Sequence, residues 1–319
     1  MSIFDAIIQG IVQGLTEFLP VSSSGHLTIT QHILGSNAGE SNLFFNVMLH
    51  IGTLVAVIAF YHKLIISLIK EFGFMVKDIF TGKFKWREMN HERNLIMMLI
   101  IGLLPLFFLF LPIPFTDMAI KDLADVFSQQ NMFIVVGFAL LATSALLYIG
   151  IQADKRTTLR YKKKGILTKK GAGRKSFNVV DAICVGVSQF IAAVFSGLSR
   201  SGTTLSVGLL RGLNKQTALD YTFVLAIPSI LAAALLETKE ALEAPGGITV
   251  EFLPVIVGMV TAAVVGYASI VLFKWFLKTD KTMVFVFYTA VIGAIVVVVS
   301  IIELLSGVNV FTGQTLFTV

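Results

Sequence analysis

Charge is scarce in this chain. Of 319 residues only 14% are Asp, Glu, Lys or Arg, 19 acidic and 25 basic, against about 25% in ordinary soluble domains. So few charges cannot cover a water-facing surface. With 55% hydrophobic residues and a mean hydropathy of +0.84, soluble enzymes of the common folds are excluded, as is a disordered chain. Cysteine is nearly absent: Cys184 stands alone, which rules out a disulfide scaffold. The period-two alternation of a β-barrel is missing too, because the apolar runs are continuous. Met1 to Gly10 carries Asp5 and no positive charge ahead of its apolar stretch, so no cleavable signal is expected. What these absences leave is an all-α polytopic membrane protein.

A span needs about 20 largely apolar residues to cross roughly 30 Å of hydrocarbon. Six stretches qualify: 43–61, 95–111, 132–151, 217–236, 252–273 and 283–302. The links between them alternate in charge. Residues 62–93 hold seven Lys/Arg, 152–175 hold ten and 274–281 hold three; residues 113–130 and 237–251 hold one each, Lys121 and Lys239, among Asp117, Asp122, Asp125, Glu237, Glu240, Glu243 and Glu251. The basic links are therefore cytoplasmic and the C-terminus lies outside. The same bias accounts for the net charge of +6, so no nucleic-acid partner is implied.

Two apolar segments, 3–34 and 179–212, are interrupted by Pro20-Val21-Ser22-Ser23-Ser24-Gly25-His26 and by Ser196-Gly197-Leu198-Ser199-Arg200-Ser201-Gly202. Each is long enough for two half-helices, and the charge alternation survives if each enters and leaves on one side. Both are expected to be re-entrant hairpins. Non-helical backbone at membrane depth must be enclosed by protein or line a watery cavity, so the two breaks should be buried together.

The halves repeat. At an offset of 176, Asp5, Ala6, Ile7, Gly10 and Gln13 fall on Asp181, Ala182, Ile183, Gly186 and Gln189; with one inserted residue, Ser24-Gly25 falls on Ser201-Gly202 and Gly35 on Gly212. Residues 1–151 form a first repeat and 176–319 a second, joined by a basic linker, 152–175. Each holds one hairpin and three spans, giving ten helices in all. Because three is odd, the second repeat is upside down, an architecture whose broken helices meet near the midplane to form a site.

Asp5, Gln9, Gln13 and Glu17 are spaced by four and share one helix face. Such a stripe cannot face lipid. Glu17, three residues before the break, is the functional candidate. A helix N-terminus binds anions, and each break opens a half-helix among small hydroxyl-bearing residues: Ser22, Ser24 and Gly25 in the first, Ser199, Ser201, Gly202, Thr203 and Thr204 in the second. Arg200, the one charge between Asp181 and Arg211, needs an oxyanion partner. A buried Arg200–Glu17 pair tying the hairpins together is the structural alternative. All five histidines lie in the first half. His62 and His91 are expected in solvent, and His32 and His50 buried with hydrogen-bond partners. His26, separated from the serines by Gly25 alone, is the candidate base for Ser23, either as nucleophile or as the group that positions an attacking water.

Gln13-x-x-x-Glu17 followed by Pro20-Val-Ser-Ser-Ser-Gly-His26, with Gly197-Leu-Ser-Arg-Ser-Gly-Thr-Thr204, resembles the bacterial undecaprenyl-pyrophosphate phosphatases of the bacitracin-resistance type over the whole chain. The resemblance implies an integral enzyme of the bacterial cytoplasmic (inner) membrane. It would convert the C55 lipid diphosphate to the monophosphate outside and recycle the cell-wall carrier lipid. It assigns essential positions to Glu17, Ser23, His26 and Arg200 and implies a divalent cation, Mg²⁺ or Ca²⁺, on Glu17 with Gln13 as a further ligand. Its partners would be the polyprenyl diphosphate, membrane lipids and a second copy in a homodimer. Two positions depart from the family pattern: Ser196 stands where Pro is common, and Gln13 where many members have Glu. Type-2 phosphatidic-acid phosphatases also use Ser-Gly-His and Ser-Arg motifs, but they need a later histidine and none follows His91. A secondary transporter or lipid flippase for an anionic substrate, built on the same inverted repeats, is the alternative.

Overall fold

The computed structural model describes residues 2–34, 40–85, 89–116, 118–128, 132–166, 171–243 and 251–316. Gly35, Asp117 and the acidic link over 244–250 lie outside the described residues, as do the side chains of Asp125, Glu240 and Glu243. The described chain is helical, with three isolated β-bridges and no strand. Its helices are α1 (Ile3–Phe18), α2 (Ser23–Leu34), α3 (Glu40–Phe60), α4 (His62–Phe80), α5 (His91–Leu103), α6 (Asp122–Ser128), α7 (Phe133–Lys163), α8 (Val179–Val194), α9 (Arg200–Leu210), α10 (Lys215–Glu243), α11 (Phe252–Lys278) and α12 (Met283–Ser306), with a 3₁₀ helix over Leu104–Phe110.

Five helices are long and apolar enough to cross a membrane, and α3 with α4 adds a sixth, bent, candidate. These coincide with the six stretches expected from hydropathy. Twelve α-helices among the described residues exceed the expected ten because two basic or acidic links also coil. Residues 62–80, expected as part of a basic cytoplasmic link, form α4, which leaves α3 at 85°. Leu64, Leu68, Met75 and Ile79 recur at helical spacing between Lys63, Lys70 and Lys77, the pattern of an amphipathic helix. Helix α7 runs through the first half of the basic linker. At about 1.5 Å per residue its 31 residues reach well past the hydrocarbon core.

The aligned pair Asp5 and Asp181 has a local cause. Each is the third residue of its helix and closes a capping box, Asp5 with Ser2 and Asp181 with Asn178, satisfying donors that a helix start leaves bare. Asp181 also accepts both guanidinium nitrogens of Arg174, at 2.7 and 2.8 Å, and Nε of Arg211 at 2.9 Å. The α1 stripe therefore divides: Asp5 caps the helix start, and the buried members Gln9, Gln13 and Glu17 face protein.

Helix α1 packs closely on α11, and α11 on α3. Small residues permit this. A Cβ on Gly10 would stand 2.7 Å from the Gly258 carbonyl, and one on Gly14 2.8 Å from that of Ala262, the small-xxx-small contact by which membrane helices approach. Helix α8 packs on α5 and the 3₁₀ helix, α7 on both α9 and α12, and α10 on α3. One aromatic core, with Phe18, Tyr61, Phe223 and Phe273 at its centre, joins elements of both halves.

Candidate active site

The two breaks meet. A Cβ on Gly25 would lie 2.9 Å from the Cα of Gly197, so only glycine allows the first helix start to rest on the second break. Gly197 has φ +97 and lies so close to α7 that a Cβ would stand 2.7 Å from the Val136 carbonyl. Thr143 of α7 supports this turn: its Oγ1 accepts from the Ser199 amide at 2.9 Å and shares its proton between the Ala139 carbonyl at 3.0 Å and the Gly197 carbonyl at 3.3 Å. No sequence signal marked Thr143, which sits in an otherwise ordinary apolar span. Ser196, the departure from the family pattern, is buried, with its hydroxyl lacking a hydrogen-bond partner.

Each break is closed in the same way. Ser22 Oγ accepts from the Gly25 amide at 3.2 Å and Ser199 Oγ from the Gly202 amide at 3.1 Å. The residue after each cap is the first of its helix, Ser23 in α2 and Arg200 in α9, where backbone N–H groups have no partner within the helix. Ser22 reaches this geometry with φ 76, a left-handed conformation uncommon for serine.

Glu17 is the hub. Its Oε1 accepts from Nη2 of Arg200. Its Oε2 accepts from Ser23 Oγ at 2.7 Å and from Gln13 Nε2 at 2.8 Å. Arg200 Nη1 also donates to Ser229 Oγ at 3.3 Å. Ser229 follows Pro228, an interior proline of α10. The carboxylate side chain is 2% exposed and the guanidinium 25%, so the pair is buried at one end and open at the other.

The open end faces a cavity of about 310 Å³. Glu17, Ser23, Arg200, Ser229 and His50 make its polar wall, while Leu106, Leu109, Phe110, Ile230, Ala233 and Leu236 line an apolar one. Ser22, Ser24, Ser199 and Ser201 also line it. Gly25, Gly202, Thr203 and Thr204 are buried behind this wall, and Thr204 Oγ1 donates to the Arg200 carbonyl at 2.8 Å. One wall can hold an oxyanion, and the other a hydrocarbon chain.

His26 stands elsewhere. Its Nδ1 lies 2.8 Å from the Ser22 carbonyl, and its Nε2 2.8 Å from the Tyr288 hydroxyl, on whose ring it stacks. A carbonyl only accepts, so Nδ1 carries the proton and, in the neutral ring, Nε2 accepts from Tyr288. The hydroxyl of Ser23, paired with His26 by sequence order, is held by Glu17 instead. The imidazole that does face the cavity is His50, for which the sequence implies only a buried, hydrogen-bonded side chain. Its Nδ1 donates to the Asn46 carbonyl at 2.8 Å, and its Nε2 is 3.8 Å from Glu17 Oε2. The signal that could have found it is its place at the midpoint of α3, in the half-chain that holds every histidine. His32 is buried as expected, bonded to Glu303 at 2.9 Å.

For a cation the site offers little. Glu17 is its one buried carboxylate, and the adjacent Gln13 Oε1 is a buried acceptor without a partner. No group of three or more His, Cys, Asp or Glu that could hold a metal occurs among the described residues. The donors fit an ion shared with a substrate's oxygens rather than one caged by protein.

Comparison with known proteins agrees with this picture. The profile described as "Bacitracin resistance protein BacA" matches residues 6–295. A protein of Alkaliphilus metalliredigens named undecaprenyl-diphosphatase is 38% identical over 308 residues, 95% of this chain and 100% of the relative. Proteins with the same name from Methanosphaera stadtmanae and Bacteroides fragilis are each 34% identical, covering 95% and 94% of this chain and 99% of each relative.

Proposed function

The chain belongs to the BacA family of bacitracin resistance proteins, and from that membership and the cavity we infer how it works. It is an integral-membrane phosphatase that hydrolyses undecaprenyl diphosphate to undecaprenyl phosphate and phosphate, recycling the cell-wall carrier lipid. The observation that carries the mechanism is the convergence of Glu17, Ser23 and Arg200, from opposite halves of the chain, on one cavity with an apolar wall.

The diphosphate enters with its terminal phosphate at the polar wall and its first isoprene units along Leu106, Leu109, Ala233 and Leu236. Arg200 turns its donors from Glu17 to the phosphate oxygens and offsets the charge that grows on them. The helix starts at Ser23 and Arg200 add their amides. Glu17, freed from the guanidinium, takes the proton of Ser23 as Oγ attacks the terminal phosphorus. The bond to the bridging oxygen breaks and undecaprenyl phosphate leaves. Water then cleaves the phosphoserine and releases phosphate. His26 is a positioning residue that fixes the Ser22 carbonyl and the first turn of α2. Glu17 and Gln13 would hold a divalent cation, Mg²⁺ or Ca²⁺, which would supply neutralisation of the substrate's charge.

The basic links lie in the cytoplasm, the second half is inverted relative to the first, and the cavity opens outward. Supporting that direction, Glu237, at the start of the acidic link, is among the cavity's lining residues. The outer faces of α11 and α12, with Val264, Val271, Phe287 and Val291 exposed, suit lipid or the second copy of a homodimer.

The test is phosphate release by purified protein in detergent, where no gradient exists, from C55 and short-chain diphosphates, with and without EDTA, beside Glu17→Ala. Release by the native chain, loss with EDTA and loss in the variant are expected. Native protein that binds the lipid diphosphate but releases no phosphate would leave the transporter reading standing.

A further inference from the structure

Gln189 of α8 is 1% exposed, and its Nε2 has no hydrogen-bond partner. Buried donors are rarely left bare, because an amide surrenders its water on burial. The repeat shows what is missing. Gln189 is the counterpart of Gln13, whose Nε2 donates to the carboxylate four residues on, Glu17. Four residues after Gln189 stands Ala193, on the same helix face. A methyl therefore occupies the place of the carboxylate. Gln189, Ala192 and Ala193 all line the catalytic cavity. The second amide, at the cavity lining, lacks the acceptor that the first has.

We propose that Gln189 is a substrate-binding residue whose Nε2 donates to an oxygen of the lipid-proximal phosphate, the group that becomes the departing monophosphate. The inference rests on the phosphatase reading of the cavity. Placement argues for the lipid-proximal phosphate. Helix α8 packs on the 3₁₀ helix, whose Leu106, Leu109 and Phe110 belong to the apolar wall. Glu17, Ser23 and Arg200 gather at the other wall. A diphosphate with its reacting end on Arg200 and its chain along the 3₁₀ helix presents its inner phosphate to α8.

Two ligands separate the subsites without turnover. A ligand that binds only the folded protein raises its unfolding temperature as concentration passes Kd. Farnesyl monophosphate presents the lipid-proximal phosphate with a short chain, whereas inorganic phosphate stands for the terminal one. In Gln189→Met, which keeps length and removes the donor, the Kd for farnesyl monophosphate is expected to rise roughly 10-fold, the loss of one hydrogen bond to a charged acceptor, with that for inorganic phosphate unchanged. Gln189→Glu, similar in shape and repelling the anion, should weaken farnesyl monophosphate further, and Gln189→Asn should recover part of the loss. In turnover of farnesyl diphosphate, KM should rise more than kcat falls. Equal Kd values for farnesyl monophosphate in native and Gln189→Met protein would overturn the proposal, as would a loss shared equally by both ligands. If the Met variant does not fold, the Glu variant decides by the same two ligands. A native chain that binds both ligands yet releases no phosphate would sink the phosphatase reading and leave the Gln189 contact standing.

Discussion

The first break places a hydroxyl at the opening position of its helix, Ser23 in α2, where the second places a guanidinium, Arg200 in α9. Around these positions the two breaks are built alike: a serine cap, a glycine whose amide it holds, and a second serine hydroxyl within 3.4 Å of the first cap and 3.3 Å of the other. Before them the helices differ again, with Glu17 in α1 against Ala193 in α8. On the proposed mechanism the two like caps supply two anion-binding helix starts, and a few differences divide the labour. The first half would hold the nucleophile and its proton acceptor, the second the charge clamp. Neither half contains a complete site, and the Glu17–Arg200 pair that looks like a structural tie is also the wall of the cavity.

If that division is right, the largest loss follows removal of the second break's only charge, Arg200. Arg200→Ala should lower kcat/KM by roughly 10⁴-fold, as for other guanidiniums at a transferring phosphoryl group, with the elution profile and helicity of the protein retained. Near-native phosphate release would end the contrast. Ser23→Ala comes next, at roughly 10³-fold, since removing a nucleophile leaves only binding and charge stabilisation, whereas the corresponding hydroxyl change in the neighbouring Ser24→Ala should cost only a few fold. Trapping of phosphate on Ser23 after acid quench checks the covalent route, and turnover by Ser23→Ala at native rate excludes it. Gly25→Ala tests the contact of the breaks themselves. Its Cβ meets backbone, not a yielding side chain, and a shift of about 1 Å between nucleophile and clamp is worth roughly 10²-fold; unchanged kcat would show that the breaks need not touch. Thr143→Val, similar in shape, removes a hydroxyl that steadies the second break and touches nothing of the first. A loss of about 1 kcal/mol, roughly fivefold in kcat or in the folding equilibrium, is expected in phosphate release or urea unfolding.

How much was legible beforehand varies with the range of the interaction. The spans and the break positions are local features, carried by hydrophobic runs and their interruptions. They appear in the structure where the chain implied. Helix α4 was missed because its basic residues read as a link. Its apolar positions carry the signal at helical spacing, but a charge tally over 62–93 does not see them. The Ser23–His26 pairing followed chain order, yet a helix start turns residues three apart according to its cap. Here the left-handed Ser22 sends the imidazole to Tyr288, 262 positions away, and leaves Ser23 to Glu17. His50 was set aside because its span shows no break or polar stripe.

The amino-acid sequence alone determined a helical membrane protein with two interrupted hairpins, the charge bias of its links, and the inventory of one carboxylate, one guanidinium and a run of hydroxyls that chemistry on a phosphate requires. These depend on composition, on period and on neighbours along the chain, which water and lipid read segment by segment. Only the tertiary structure decided which of those groups touch. Residues 183 positions apart, Glu17 and Arg200, meet because glycines let α1 lie on α11 and one break rest on the other. That closeness is set by the packing of whole helices, not by any motif within them.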